Sequence, residues 1–325
     1  MPKTQTVVPR EMTTALYRFL TLGLGAIYLG LSARFVARGE PAWLYAAGAP
    51  VAYIALTVFP VAMWFLLSRV WGVALPKDAR LGPAGYVRMF IGEWATIATS
   101  WPIMAFHGFF VRDPAATMAG IPIVLIHGVW NNDGVWFKFI RWFARRGIGP
   151  VYTINCLPSV GDIEEFARQL AAKVDAICAA TGKGQVVLVG HSMGGLIARA
   201  YLRCYGGSRV AKIITIGTPN HGSTFAKAAV GRCLEQMRPG NEWLGELNRK
   251  SGSGEVPIVT IWSWHDTLVL PQTSSRLPGA KDIPLVGVGH NALLRSRQVF
   301  THVLEELDDE QRAAVATGQP RPADR

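Results

Sequence analysis

Gln185-Val186-Val187-Leu188-Val189-Gly190-His191-Ser192-Met193-Gly194 decides how this chain folds. The run up to Val189 is short, apolar and β-branched, and it reads as a buried strand. Leu196-Ile197-Ala198-Arg199-Ala200-Tyr201-Leu202 follows and reads as a helix. Ser192 therefore stands on a sharp strand-to-helix turn, where the backbone is strained and the flanking glycines leave it room. The turn holds the hydroxyl out, and the helix N-terminus favours negative charge beside it. A bare G-x-S-x-G also occurs in ordinary glycine-rich turns; the strand before it and the helix after it single this one out as a candidate nucleophile.

A serine hydroxyl needs a base, and the base needs an orienting carboxylate. Residues 257–262 read as another buried strand that runs into Trp264-His265-Asp266-Thr267. Asp266 thus lies just past a strand's C-terminal end, where loops of such sheets carry function. Residues 283–288 read as a last strand, and Gly289-His290-Asn291-Ala292 follows and opens a helix. His290 is the expected base. Of the other histidines, His191 is expected to point away from the turn, His127 to shape a loop, and His221 to line or buttress the site. His265 precedes the acid in the chain, and His107 and His302 have no supporting context. An oxyanion needs backbone N–H donors. Met193, after the nucleophile, is one candidate. Val129, in the loop His127-Gly128-Val129-Trp130 after the strand at residues 121–126, is the other.

Four motifs carry a resemblance. Ile123-Val124-Leu125-Ile126-His127-Gly128, Gly190-His191-Ser192-Met193-Gly194-Gly195, Gly217-Thr218-Pro219-Asn220-His221-Gly222 and Val288-Gly289-His290-Asn291-Ala292-Leu293-Leu294 together resemble the bacterial lipase/esterase group of the α/β-hydrolase superfamily, including its membrane-anchored members. The resemblance covers about residues 119–308. It implies Ser192, Asp266 and His290 as a triad, Val129 and Met193 as oxyanion donors, no cofactor, and an acyl ester or lipid as substrate. The larger lipases of that group carry a calcium site with an aspartate just after the catalytic histidine. Here no acid follows His290 until Glu305, so no metal is expected there. Acyl transfer by the same triad, and a non-catalytic binding or scaffold protein with this fold, are the alternatives.

The chain is 50% hydrophobic with a mean hydropathy of +0.22, and the excess lies in the first third. Residues 41–68 hold no charge and as a helix would reach roughly 40 Å, enough to cross a hydrocarbon core of about 30 Å. Residues 16–36 read as a first span flanked by Arg18 and Arg34, with a cleaved signal peptide as the competing reading. Lys3, Arg10 and Arg18 precede the hairpin, Arg69, Lys77, Arg80 and Arg88 follow it, and only Arg34 and Arg38 lie between. The positive-inside rule then places both ends, and the catalytic domain, on the cytoplasmic side of the inner membrane. Residues 94–111 are a third apolar stretch, read either as an interfacial segment or as packing of the domain itself; a third full span is the weaker alternative.

The net charge of +11 comes without a Lys/Arg block or a nucleic-acid motif, so anionic lipid rather than nucleic acid is its expected partner. Arg141, Arg145 and Arg146 fall on one predicted helix. The four cysteines form no metal or disulfide pattern, and Cys178 and Cys204 are expected to be buried thiols. Residues 162–180 read as an amphipathic helix between an Asp162 cap and a Gly182 stop, and residues 151–154 as a strand. Counting gives about six strands, mostly parallel, with helices on both faces. Residues 222–255 are longer than a connection needs and read as a small cap or an edge helix. Trp130 is a candidate acyl-pocket residue. The expected organisation is a two-span anchor over residues 1–72, a juxtamembrane segment over 73–118, a catalytic domain over 119–310 and a disordered tail over 311–325.

Overall fold

The computed structural model describes residues 12–115, 120–250 and 256–307. Lys3, Arg10 and the tail read as disordered lie outside the described residues. The strands are β1 (Ile123–Ile126), β2 (Val151–Ile154), β3 (Val186–His191), β4 (Val210–Ile216), β5 (Ile258–Ser263) and β6 (Lys281–Leu285). They form one parallel sheet in the order β2-β1-β3-β4-β5-β6. Every residue of β1, β2 and β3 is buried, as a parallel sheet covered on both faces requires. Alternation sorts the side chains. Val186 and Leu188 pack with helices Ile163–Thr181 and Met193–Tyr205, while Val187 and Val189 pack with helices Phe137–Ala144 and Arg297–Glu305.

The chain leaves β1 for the outer strand β2 and returns to β3 on the other side of β1. Loops after β1 and β3 therefore diverge and open a crevice at the strands' C-terminal ends. Helix Ile163–Thr181 begins and ends as read: Asp162 Oδ1 accepts the Glu164 N–H at 2.8 Å, and Gly182 stops it at φ 68°. The last strand differs. Residues 283–288 were expected, but β6 runs from Lys281 to Leu285, because Asp282 Oδ1 accepts from Trp262 Nε1 at 2.8 Å and Thr260 Oγ1 at 3.1 Å and so draws two charged residues into the sheet edge. After His290 the chain makes only a single turn, Ala292–Arg295, before helix Arg297–Glu305. Cys204 is also a correction: it is exposed, while Cys156, Cys178 and Cys233 are buried.

Ahead of the sheet stand two apolar helices, Met12–Val36 (25 residues) and Ala42–Trp71 (30 residues), each long and apolar enough to cross a membrane. The first contains a wide turn over Phe19–Gly23, and the second accommodates Pro50 and Pro60. Tyr28 OH donates to the Tyr45 carbonyl at 2.7 Å and ties the pair together. Their flanks are bare: Trp43 is 68% and Phe59 70% exposed. Their roots are fixed to the domain. Tyr17 OH donates to the Trp130 carbonyl at 3.0 Å, Arg18 Nε to the Ala105 carbonyl at 3.0 Å, and the Val73 N–H to Gln272 Oε1 at 3.0 Å. A third helix, Pro83–Ala105, lies between the second helix and the domain, tied to the former by Tyr53 OH to the Ala98 carbonyl (2.5 Å) and Trp94 Nε1 to Thr57 Oγ1 (2.9 Å). The stretch at residues 94–111 thus covers the domain, with Met104 and Ala105 in its core.

Candidate active site

Ser192 sits between β3 and helix Met193–Tyr205 at φ 55°, ψ −124°, a strained conformation for a residue with a Cβ. The strain is held by packing. Ser192 N–H donates to the Ile216 carbonyl at 2.8 Å, and its carbonyl accepts the Gly195 N–H at 3.1 Å. The turn crosses so close to β1 that a Cβ on Gly194 would lie 2.1 Å from the Ile126 carbonyl oxygen, so only glycine fits there. Met193 is the first residue of its helix, and its N–H has no partner within that helix.

Asp266 is fully buried after β5. Its Oδ1 accepts the N–H groups of Leu268 (2.9 Å) and Val269 (2.8 Å), and its Oδ2 faces His290 Nδ1 at 2.8 Å. A carboxylate in that position makes Nδ1 the protonated nitrogen and leaves the Nε2 lone pair free to accept. Burial alone would push the His290 imidazole down, but Asp266, with Glu93 adding to it, overbalances this and holds it above the ordinary histidine value. Ser192 and His290 both line one cavity of about 480 Å³. Val129 and Trp130 line it too. Trp130 has φ 55°; among the described residues it and Ser192 are the non-glycine residues with positive φ, so backbone strain concentrates at this crevice.

The cavity's upper wall comes from the N-terminal helices: Leu20 from the first, Met63 and Trp64 from the second, Ile97 and Trp101 from the third. Phe225 and Met237, from the long connection after β4, close another side, whereas Leu244 and Leu247 of helix Glu242–Lys250 belong to the core. His221, expected at the site, is not brought to the cavity. Pro219 lines it, but buried Asn220 bonds to Arg199 Nη1 (2.8 Å) and the Ser275 carbonyl (2.7 Å), and this turns His221 outward, where it is exposed and meets Asn248 Nδ2 at 3.3 Å. His191, expected to point away from the turn, packs its ring 4.6 Å from that of His290, and its Nε2–H donates to the His290 carbonyl at 3.1 Å. Burial holds it neutral, well below the usual histidine range. His127 shapes its loop as expected: Nδ1–H donates to the Gly128 carbonyl (2.8 Å) and Nε2 accepts the Cys156 N–H (3.2 Å).

The functional residue that sequence reading misses is Glu93, on helix Pro83–Ala105 and fully buried. Its Oε1 accepts from Asn291 N–H (2.9 Å), Asn291 Nδ2 (2.9 Å) and Thr267 Oγ1 (3.3 Å), and its Oε2 from Ala292 N–H (2.8 Å). One carboxylate thus clamps the loop just after His290 and the loop just after Asp266. Gly289 is required beneath it, since a Cβ there would lie 2.5 Å from Glu93 Oε2. Burial pushes the Glu93 carboxyl up, and the donors from Asn291 and Ala292 oppose this. Its charge also helps keep His290 raised. Glu93→Gln removes that charge, so the acid limb of the kcat/KM profile for an ester, where a protonated His290 cannot act as base, is expected to move to lower pH. A limb that stays in place, with melting temperature as the folding control, contradicts a role for Glu93 at His290.

Residues 121–238 match the α/β-hydrolase fold family. A triacylglycerol lipase of Pseudarthrobacter phenanthrenivorans is 36% identical over 113 residues, covering 32% of this chain and 35% of that protein. A triacylglycerol lipase of Burkholderia plantarii is also 36% identical over 113 residues, covering 32% and 31%. The chain thus spans about a third of the length of these curated relatives. Among solved structures, a mature lipase of Bacillus licheniformis superposes with a TM-score of 0.52 at 19% identity, covering 60% of this chain and 93% of that one. Sheet order, strained serine turn and the family match over residues 121–238 together give this chain the α/β-hydrolase fold. Triacylglycerol lipases are among its sequence relatives, as is a 1-acylglycerol-3-phosphate O-acyltransferase of Sus scrofa, 33% identical over 105 residues and covering 30% of this chain and 29% of that protein.

Proposed function

We propose that the protein is a membrane-anchored serine hydrolase that cleaves carboxylic acyl esters of lipids. In this reading Ser192 Oγ attacks the ester carbonyl while His290 Nε2 takes its proton, and Asp266 fixes the imidazole tautomer and stabilises its positive charge. The N–H groups of Met193 and Val129 receive the oxyanion, each contributing about 3 kcal/mol to the transition state. His290 returns the proton to the leaving alkoxide, and water, activated by the same imidazole, releases the acid from Ser192.

The observation that carries the reading is the cavity: Ser192 and His290 share an apolar space whose wall is built by the two helices apolar enough to span a bilayer. Helices of 25 and 30 residues would be about 37 and 45 Å long, more than a hydrocarbon core of about 30 Å. Their apolar flanks are bare, with Leu29, Trp43, Val51 and Phe59 all exposed, and lipid is the solvent that suits them. With the hairpin inserted, an acyl chain passes from bilayer to cavity beside Leu20 and Met63 without crossing water. The charge asymmetry around the hairpin favours a catalytic domain on the cytoplasmic face.

The test is a hydrolysis profile of the full chain over acyl esters of increasing length and over glycerolipids, with Ser192→Ala alongside. Turnover that rises with chain length and vanishes in the variant supports the reading; equal turnover in both proteins overturns it. If the cavity holds the acyl chain, Ile97→Trp is expected to lower kcat/KM for long relative to short esters about tenfold, the worth of one to two buried methylenes. An unchanged length preference would place the chain elsewhere.

A further inference from the structure

We propose that a basic groove outside the catalytic cavity is a docking site for the phosphate groups of anionic glycerophospholipids at the bilayer surface. The groove has a volume of about 600 Å³ and is lined by six cations, Lys138, Arg141, Arg145, Arg146, Arg295 and Arg297. They come from two segments far apart in the chain, helix Phe137–Ala144 with the turn after it, and the turn Ala292–Arg295 with the start of helix Arg297–Glu305. A solvated helix face would spread its charges and pair them. Here they converge on one concavity, and among the described residues none of the six has an ion-pair partner. Converging unpaired cations repel one another, and the arrangement is relieved by an anion of more than one charge-bearing oxygen.

The chemistry suits phosphate. Five of the six are arginines, whose planar forks bind phosphate oxygens in pairs. Arg146 lies 3.8 Å over the Trp142 ring and Arg141 lies 5.2 Å from the Phe137 ring centre, so both guanidinium groups rest on aromatic faces. The position suits a membrane. Arg295 is half-buried, and it donates to Thr99 Oγ1, to Ser100 Oγ at 3.1 Å and to the Ala95 carbonyl at 3.5 Å, all on helix Pro83–Ala105. The same helix holds the Ala42–Trp71 helix through the Ala98 carbonyl and Trp94, so it touches both the groove and the proposed anchor. Phe110, whose ring meets that of Phe137 at 5.3 Å, adds an aromatic side chain beside Arg141. A headgroup held there would fix the tilt of the domain on the bilayer and keep the cavity mouth against it. The inference rests on the membrane-anchored reading for the source of the phosphate, but not on ester hydrolysis.

The test is native mass spectrometry of the full chain in neutral detergent, titrated with phosphatidylglycerol and with phosphatidylcholine of the same acyl chains. The wild type is expected to retain phosphatidylglycerol more than about tenfold over phosphatidylcholine, and the exposed-surface triple variant Arg141→Gln, Arg145→Gln, Arg297→Gln to lose that preference. Each single variant should give part of the loss, so the trend stands even if the triple variant does not fold. Turnover of a short soluble ester should be the same in all of them. An undiminished preference in the variants overturns the proposal. So does displacement of phosphatidylglycerol by millimolar inorganic phosphate or pyrophosphate, which would mark a site for a soluble anion. Absent turnover with intact lipid preference would sink the hydrolase reading alone, and turnover without lipid preference would sink this one alone.

Discussion

Ser192→Ala is expected to lower ester turnover about a million-fold while leaving the fold intact, since removal of a triad nucleophile elsewhere costs that much. The substitution deletes one oxygen from a residue whose conformation is imposed by its surroundings, namely the Ile216 carbonyl, the Gly195 N–H and the glycine at 194. Alanine meets the same backbone strain with no larger side chain, so the melting temperature should change little. The loss is therefore chemical, because no other hydroxyl stands on the strained turn facing His290 across the cavity. The check is a pair of progress curves at equal protein concentration, with calorimetry on both samples. Turnover reduced by less than about a hundredfold would mean that the attacking group is not Ser192.

The second large effect is expected from Asp266→Asn, about ten-thousandfold in kcat. Oδ1 of Asp266 is fixed as an acceptor by the Leu268 and Val269 N–H groups. An asparagine that keeps those two bonds must turn its NH2 toward His290 Nδ1. Nδ1 then becomes the acceptor and the ring proton moves to Nε2, which can no longer take a proton from Ser192. The size of the protein and its packing are unchanged, so the effect separates tautomer control from structure. An NMR shift of the His290 ring nitrogens reads the tautomer directly. A variant that keeps Nδ1–H and full activity would refute the assignment of Asp266.

Much of this was legible in the chain. The strand-to-helix turn at Ser192 announces itself because a buried apolar run, a glycine pair and an amphipathic run follow one another without a break. Asp266 and His290 are readable because each follows such a run immediately. The face on which a loop residue ends up is not readable in this way. Asn220 and His221 are neighbours, and the buried Arg199 with the Ser275 carbonyl decides that Asn220 turns in and His221 out. His191 could not be placed against His290 from spacing, since 99 residues separate them. Glu93 is the clearest case. A single acid in an apolar helix carries no local signal, and its partners Asn291 and Ala292 lie 198 and 199 residues away. The one available sign was energetic: an acid that sits within a hydrophobic stretch must find donors somewhere. The edge strand was misplaced for the converse reason, because Asp282 is stabilised by a buried tryptophan N–H and Lys281 by Glu306, pairings that no periodicity reveals.

The roof of the cavity also escapes a linear reading. The apolar content of the first third announces helices suited to a bilayer, but nothing in it says that Leu20, Met63 and Ile97 would meet over Ser192. That meeting is set by polar ties at the roots of the helices, through Tyr17, Arg18 and Gln272, and by the Glu93 clamp. It links the anchor to the proposed chemistry: the helix that carries Glu93 touches the second apolar helix on one flank and the loop of His290 on the other.

The most direct measurement is covalent. A fluorophosphonate incubated with the full chain, followed by proteolysis and mass spectrometry, reads which side chain is an activated nucleophile. A single phosphonylated peptide containing Ser192 is expected, formed faster as pH rises through the raised His290 value and absent after Asp266→Asn. Adduct on another residue, or none on folded protein, would contradict it.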